Sequence, residues 1–179
     1  MENWNWELII AIFALIASLL AIGISVWIAK YQNKEEKERF KQDKKMILLS
    51  NIKNDLNIYA KETSQIIIGL ATNNEFQSIF QEYYKLVNIA VDIREIYYEI
   101  YAMVKFDKFQ PDSLDKKLKE LTKTIKEMSS IKSEDRKNKD IENKYFTEIL
   151  KDCQYLDNAI YKFKIDIVTH ISQINETFK

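Results

Sequence analysis

Leu8 to Ala29 read LIIAIFALIASLLAIGISVWIA, a run of 22 residues without a charged side chain. At a rise of about 1.5 Å per residue, a helix of this length spans roughly 33 Å, against about 30 Å for the hydrocarbon core of a bilayer. The core helix of a soluble protein rarely stays uncharged for so long. The run therefore predicts a single transmembrane helix over residues 8–29.

Aromatic residues flank the predicted transmembrane helix on both sides. Trp4 and Trp6 precede it, and Trp27 and Tyr31 lie at its far end. Tryptophan and tyrosine collect at membrane interfaces, so we interpret these four residues as interface anchors. A cleaved signal peptide is disfavoured, because residues 1–7 carry no basic residue, the apolar run is too long and no A-x-A-like site follows it.

Basic residues are confined to one side of the predicted span. None occurs in residues 1–7, whereas residues 30–45 contain seven: Lys30, Lys34, Lys37, Arg39, Lys41, Lys44 and Lys45. The positive-inside rule then predicts an N-terminus outside and a C-terminal domain in the cytoplasm, in the inner (cytoplasmic) membrane. Residues 30–45 are predicted to form a charged juxtamembrane helix whose basic side chains either contact lipid headgroups or only orient the span.

Small side chains recur every three or four residues along the predicted transmembrane helix. They are Ala11, Ala14, Ser18, Ala21 and Ser25. Together they form a seam on one helix face, and a seam of small residues lets a second helix approach closely in lipid. The seam predicts self-association or docking against another membrane helix. The alternative is that alanine and serine are simply common in membrane anchors.

Residues 46–179 are predicted to fold as a helical bundle. The chain contains only two glycines and one proline, which favours long helices over sheets. Apolar residues recur with three-four spacing in four segments, typical of an antiparallel bundle of long helices. The expected fold class is therefore all-α, with the transmembrane helix continuing into about four long helices. A helical hairpin that completes its core by dimerising is the alternative.

Turn signals divide the predicted bundle. Gly69 and the turn-prone residues Thr72, Asn73 and Asn74 mark the expected end of the first helix, and the second stripe runs from Phe76 to Val104 before a break at Phe109–Pro111. Asp112 or Ser113 is the expected cap of the third helix, whose narrow stripe resembles a coiled coil. The stretch Ser129–Asp140 is the most loop-like part before the last helix.

No catalytic, cofactor-binding or metal-binding residue is expected. One histidine and one cysteine cannot build a di-iron bundle site or a zinc cluster, and two glycines cannot build a phosphate-binding loop. Cys153 and His170 lie 17 residues apart in one predicted helix, roughly 25 Å, which is too far for a nucleophile pair. Lys+Arg and Asp+Glu both number 27 and no basic stripe appears, so nucleic-acid binding is not expected.

Tyrosines crowd the second predicted helix. Tyr84, Tyr98 and Tyr101 are a possible partner-binding face, because tyrosine is enriched at such surfaces. The simpler interpretation is core residues whose hydroxyls reach the rim. His170 follows Asp166 by one turn and is either a pH switch held by that carboxylate or an ordinary, partly buried histidine; the second is favoured.

Two functions follow as hypotheses. The first is a non-enzymatic, single-pass interaction, scaffold or sensor module, whose partners are membrane lipid and either a second copy or another membrane protein. The alternative is a membrane-perturbing effector of the toxin or phage-defence type, with anchors that oligomerise in the bilayer. Against the alternative, Ser18 and Ser25 are the only hydroxyls in the span that could line a pore. Abundant lysine, isoleucine and asparagine suggest an AT-rich, bacterial source.

Overall fold

A computed structural model describes residues 6–73 and 75–176 of the chain, with the side chains of residues 13–73 and 75–176. The helices are α1 (Trp6–Thr72), α2 (Phe76–Ile100), α3 (Pro111–Ser130) and α4 (Lys139–Glu176), with a short 3₁₀ helix at Asp135–Lys137. No strand occurs in these described residues, and the all-α prediction is confirmed. The chain divides into two compact units, Met1–Lys45 and Met46–Lys179.

The first unit carries the apolar part of α1. Every described large apolar side chain between residues 13 and 28 is exposed, from 42% at Ile28 to 70% at Phe13. Among the described residues, α1 is the one helix long and apolar enough to cross a membrane, with a mean hydropathy of 2.0 and nothing buried over its most apolar window. Exposure separates this segment from the core helix of a soluble protein, which buries its apolar residues.

The second unit is an antiparallel bundle. A short turn after Thr72 joins α1 to α2, so these two helices run in opposite directions. Arg94 of α2 pairs with Asp115 near the start of α3 at 2.7 Å. Lys117 of α3 pairs with Asp152 in the middle of α4 at 2.6 Å. Consecutive helices therefore alternate in direction, as the short connections require.

The core of the bundle is built from the apolar stripes that the sequence predicts. All four helices contribute, because each presents an apolar stripe with a period of about 3.6 residues. The largest fully buried side chains are Tyr83, Phe163, Leu49, Leu56, Leu70, Ile79, Leu86, Ile93, Ile100, Leu114, Leu121 and Met128. The core is thus complete within one copy of the chain, and the alternative of a hairpin that needs a second copy is not required.

α2 ends earlier than its apolar stripe predicts. The stripe extends through Val104, but the last helical residue is Ile100, whose carbonyl accepts the N–H of Val104 at 3.1 Å. Val104 is buried beyond the helix end. The turn allows Phe106 and Phe109 to fold back, and both rings pack against Phe163 of α4. A stripe of buried residues cannot distinguish a last helical turn from a buried loop.

The start of α3 also differs from the prediction. Gln110 is the N-cap residue, no side chain caps the helix, and Pro111 is its first residue. Proline suits this position because its φ is already helical and it has no N–H to satisfy. Asp112 lies in the first turn, where the helix dipole favours a carboxylate. Ser113 instead hydrogen-bonds with the hydroxyl of Tyr155 on α4.

The loop predicted over Ser129–Asp140 is shorter in the structure. α3 continues to Ser130 and α4 begins at Lys139. Asn138 supplies the local cap, because its side-chain oxygen accepts the N–H of Asp140 at 2.9 Å.

Candidate functional site

The apolar segment of α1 is the most prominent candidate. Two of the predicted interface anchors, Trp27 and Tyr31, stack with ring centroids 6.0 Å apart and are exposed. Trp6 is the first residue of α1, but its side chain, like that of Ala11 in the seam, lies outside the described residues. Trp4 lies outside them altogether.

The described part of the small-residue seam is exposed and its hydroxyls are already satisfied. Ser18 Oγ donates to the carbonyl of Ala14 at 2.8 Å, and Ser25 Oγ donates to the carbonyl of Ala21 at the same distance. In lipid such internal bonds remove the cost of an unpaired hydroxyl. The seam therefore offers small side chains for close packing without presenting free polar groups.

The basic residues after the apolar segment are exposed, apart from Lys45, which is half-buried. Lys41 lies 3.9 Å from the carboxylate of Glu38, and Lys44 Nζ lies 4.5 Å from the ring centroid of Phe40. Both contacts are local and open to solvent, so each stabilises the helix only slightly. Contacts with anionic headgroups and a purely topogenic role both stay predictions for Lys30, Lys34, Lys37, Arg39, Lys41, Lys44 and Lys45.

The three predicted partner-face tyrosines are exposed but do not form one cluster. Tyr84 packs edge-on against Phe80, with ring centroids 5.2 Å apart. Tyr98 lies 14 residues later on the same helix, roughly 21 Å along its axis. Its ring is 6.5 Å from that of Tyr101, just beyond the helix end. The structure thus places Tyr98 and Tyr101 together and Tyr84 apart.

Tyr98 belongs to a mixed aromatic and charged group. The guanidinium of Arg94 lies 5.5 Å from the centroid of its ring, and its hydroxyl donates to Asp115 at 3.5 Å. Arg94 and Asp115 also pair directly at 2.7 Å. Tyrosine and arginine are among the residue types enriched in binding hot spots, so this end of α2 is the stronger part of the predicted partner face.

A polar cluster between α3 and α4 was not predicted from the sequence. Lys117 Nζ lies 2.6 Å from Asp152, 3.2 Å from Glu120 and 5.4 Å from the ring centroid of Tyr155. The Tyr155 hydroxyl in turn forms a hydrogen bond with the Ser113 hydroxyl. The only sequence signal is that Ser113 and Lys117 share one face of α3, four residues apart. Nothing local indicates that α4 supplies the partners.

The charge state of Lys117 decides what this cluster can do. Burial alone lowers the pKa of the ammonium group, but hydrogen bonds and charge from Asp152 and Glu120 outweigh burial and raise the pKa. Lys117 is therefore held protonated at neutral pH. A protonated lysine cannot take a proton from Ser113, so the arrangement serves to join α3 to α4 through an ion pair and a hydrogen bond.

Cys153 and His170 lie in the same uninterrupted helix, α4, so roughly 25 Å separates them along its axis. Cys153 is fully buried, and burial raises the pKa of its thiol to about 12, with smaller effects from Asp152 and Glu82. No group of three or more His, Cys, Asp or Glu side chains suited to a metal ion occurs among the described residues.

The Asp166 carboxylate does not serve only its neighbour on α4. It accepts the backbone N–H groups of Lys108 and Phe109, which lie in the connection between α2 and α3. From the sequence, His170 is either a pH switch held by Asp166 or an ordinary, partly buried histidine, and the second is favoured. Asp166 therefore secures the connection between α2 and α3, and both interpretations of His170 stay predictions.

No family model, no curated protein and no solved structure matches the chain.

Proposed function

We propose that this protein is a single-pass, membrane-anchored helical interaction module without catalytic activity. The apolar segment of α1 would cross the inner membrane, and the bundle of Met46–Lys179 would lie in the cytoplasm and bind a partner or sense a state. One observation carries the proposal. The apolar side chains of the first unit are uncovered, whereas those of the second unit fill a core.

The contrast between the two units has an energetic meaning. A leucine or isoleucine left in water forgoes about 1.5–3 kcal/mol relative to burial. The first unit leaves ten large apolar side chains exposed between residues 13 and 28, in an uninterrupted helix. An exposed surface of this kind requires a membrane or a partner. A length close to the thickness of the hydrocarbon core favours the membrane.

The interaction role draws its support from the surface of the bundle. Tyr98, Tyr101 and Arg94 provide exposed aromatic and cationic groups at one end of α2. The chemically suggestive cluster around Lys117 is occupied by its own ion pairs. Both features favour a binding role over a catalytic one.

The membrane-perturbing alternative draws less support. A pore requires polar groups directed at a lumen. The hydroxyls of Ser18 and Ser25 are bonded to their own helix instead. Induced expression with a membrane-potential dye separates the two functions, because rapid depolarisation would favour the effector and an unchanged potential the module.

Insertion is tested by alkaline extraction of membranes from cells that express the full-length chain. Leu19→Arg with Ile22→Arg places two charges at the centre of the apolar segment, at about 2.5–3.5 kcal/mol each. Most of this variant should leave the membrane fraction. Phe40→Arg with Ile47→Arg is the matched control, because both residues are exposed on α1 outside that segment. Recovery of the unaltered chain as a soluble monomer without detergent would refute the proposal.

Orientation is tested separately with a membrane-impermeant maleimide on intact cells. Asn3→Cys should be labelled and Lys34→Cys should be protected until the cells are opened. The native Cys153 is fully buried and contributes little background. Labelling of Lys34→Cys on intact cells would contradict the predicted topology without affecting the anchor itself.

A further inference from the structure

A groove between α1 and α2 is acidic. Its volume is about 370 Å³, and it is lined by Glu62, Glu82, Asp92 and a single cation, Lys85. Lys85 is already paired with Glu82 at 2.7 Å. Among the described residues no cation lies within ion-pair distance of Glu62 or Asp92, and Glu82 Oε2 is buried without a hydrogen-bond partner. We name this surface the acidic groove.

A second groove, between α2 and α3, is basic. Its volume is about 520 Å³, and Lys119, Lys123 and Lys126 lie along its α3 side. These lysines are spaced by four and three residues, so they share one exposed helix face. Lys123 is paired with Glu127 at 3.4 Å, whereas Lys119 and Lys126 have no carboxylate within 4.0 Å among the described residues. We name this surface the basic groove.

α2 forms one wall of both grooves. Asp92 lines the acidic groove, and Arg94, two residues later, lines the basic groove, where Asp115 neutralises it. The lysines span roughly 10 Å along α3, and the α2 carboxylates from Glu82 to Asp92 span roughly 15 Å. The two surfaces are thus opposite in charge, similar in length and placed on different flanks of one helix.

We propose that the basic groove of one copy docks against the acidic groove of a second copy. The charges of the two grooves are complementary. Glu62 and Asp92 of the acidic groove have no cation partner among the described residues, and Lys119 and Lys126 of the basic groove have no carboxylate partner there. The chain has no net charge, with 27 basic and 27 acidic residues, so its own surface can supply both partners. One copy cannot satisfy both grooves from within, because they lie on different flanks of α2.

This contact would be heterologous, so it propagates from copy to copy into a ring or an open row. Exposed ion pairs are individually weak. The contact therefore needs a high local concentration of the chain. In this respect it rests on the proposed function, because tethering in a membrane raises the effective concentration of neighbouring copies. The proposal deepens that function by naming a second copy as a partner of the bundle.

Disulfide trapping between two variants tests the contact directly. Gln65 lines the acidic groove and Thr122 lines the basic groove, and both are exposed and uncharged. Full-length Gln65→Cys and Thr122→Cys chains are mixed in lipid vesicles and oxidised with copper phenanthroline in air. The mixed sample should form a disulfide-linked dimer at least about tenfold faster than either variant alone, since docking places only unlike grooves together.

Two controls make the trapping specific. Gln154→Cys is exposed on α4 and lines neither groove, so it should not trap with Thr122→Cys. Cys153 is fully buried with a raised thiol pKa, so it should not contribute dimers. Equal trapping by Gln154→Cys, or faster trapping of Thr122→Cys with itself, would overturn the proposal.

Charge reversal of the two grooves is the decisive test. Lys119→Glu, Lys123→Glu and Lys126→Glu in the Thr122→Cys chain should slow trapping about tenfold or more, because like charges then face each other. Glu62→Lys with Asn88→Lys in the Gln65→Cys chain should slow it similarly. Combining the two reversed chains should restore trapping. If restoration fails, the second copy is not the partner of the basic groove and the proposal is wrong.

Vesicle flotation of the same samples keeps the two proposals apart. If the chain does not float with vesicles, the membrane anchor is wrong, and trapping is then measured in detergent solution at raised protein concentration. Trapping that persists there supports the docking of the grooves without the anchor. If the chain floats with the vesicles but trapping is not selective, the docking of the grooves is refuted and the membrane anchor is still supported.

Discussion

The Asp166 carboxylate on α4 accepts the backbone N–H of Phe109 at 2.8 Å, across 57 residues of sequence. Asp166 is only 4% exposed, and it also accepts the N–H of Lys108. Two backbone donors in the connection between α2 and α3 are therefore satisfied by a buried carboxylate from another helix. Such a bond to a charged group contributes about 1.5–3 kcal/mol.

Asp166→Asn should lower the free energy of unfolding by about 1–2 kcal/mol, because a neutral amide accepts the same N–H groups more weakly. Thermal unfolding of the full-length chain in detergent, followed by far-UV circular dichroism, measures the change. Asp157→Asn is the control, since Asp157 is exposed on the same helix. Equal midpoints for the two variants would show that Asp166 does not secure the loop.

Lys117→Met should destabilise the bundle by about 2 kcal/mol, because it leaves Asp152 partly buried without its cation. Adding Asp152→Leu to that variant should recover part of the loss, because the uncompensated charge is then removed. Lys123→Met on the same helix breaks only a surface pair with Glu127 and should change little. Additive effects of the first two changes would argue against a coupled pair.

Tyr83→Phe should stabilise the bundle by about 1 kcal/mol. Its hydroxyl is buried without a hydrogen-bond partner among the described residues, and burial raises the pKa of the group. Tyr155→Phe removes a hydroxyl that is bonded to Ser113 and should lower stability instead. The pair of variants makes the same chemical change, so opposite shifts in midpoint report the hydrogen bond alone. A lower unfolding midpoint for Tyr83→Phe would show that the Tyr83 hydroxyl has a hydrogen-bond partner.

Stability should fall in alkali because of Cys153. Burial raises the pKa of its thiol from 9.0 to about 12, so the unfolded chain loses this proton first as the pH rises. The stability that the buried, neutral thiol contributes is complete below about pH 9 and is lost as the pH approaches 12. Midpoints of the wild-type chain and Cys153→Ala should therefore converge across this window. A constant difference between them would contradict the buried, neutral thiol.

Ala14→Leu with Ala21→Leu should weaken self-association of the anchor, because bulky side chains keep a second helix from approaching the seam. Packing between small residues is a main driver of helix association in lipid, so a clear loss of association is expected. Energy transfer between labelled full-length chains in vesicles measures it. Gly23→Leu is the control: Gly23 lies roughly half a turn round the helix from Ala14, and an added Cβ there meets nothing. Unchanged association in the seam variant removes the seam hypothesis.

The helical architecture was accessible from sequence because it depends on short-range periodicity. Apolar residues at three-four spacing identify a helix and its buried face whatever lies opposite. The turn signals from Gly69 onward and the apolar stripe that begins at Phe76 agree with the structure for this reason, since α1 ends at Thr72 and α2 begins at Phe76. The predicted extent of α2, through Val104, does not agree with the structure. Val104 is buried by a turn beyond the helix end, and only the packing of Phe106 and Phe109 explains that turn.

The exposed candidate residues were also identifiable from sequence, but not their grouping. Tyr84, Tyr98 and Tyr101 are exposed as expected for a surface, yet only the last two lie together. The grooves on the two flanks of α2 could not be anticipated, because each is formed by side chains from two helices. Sequence spacing orders residues along one helix and carries no information about which neighbour faces them.

By itself the sequence determined which segment is too apolar for water, which side carries the lysines and how many long helical segments follow. These properties follow from composition and from the local period of the backbone. Only the tertiary structure decided that Asp166 satisfies the N–H of Phe109 and that Lys117 meets Asp152. Those pairs form because the packing of whole helices brings distant residues within hydrogen-bond reach, where burial makes an unpaired polar group costly.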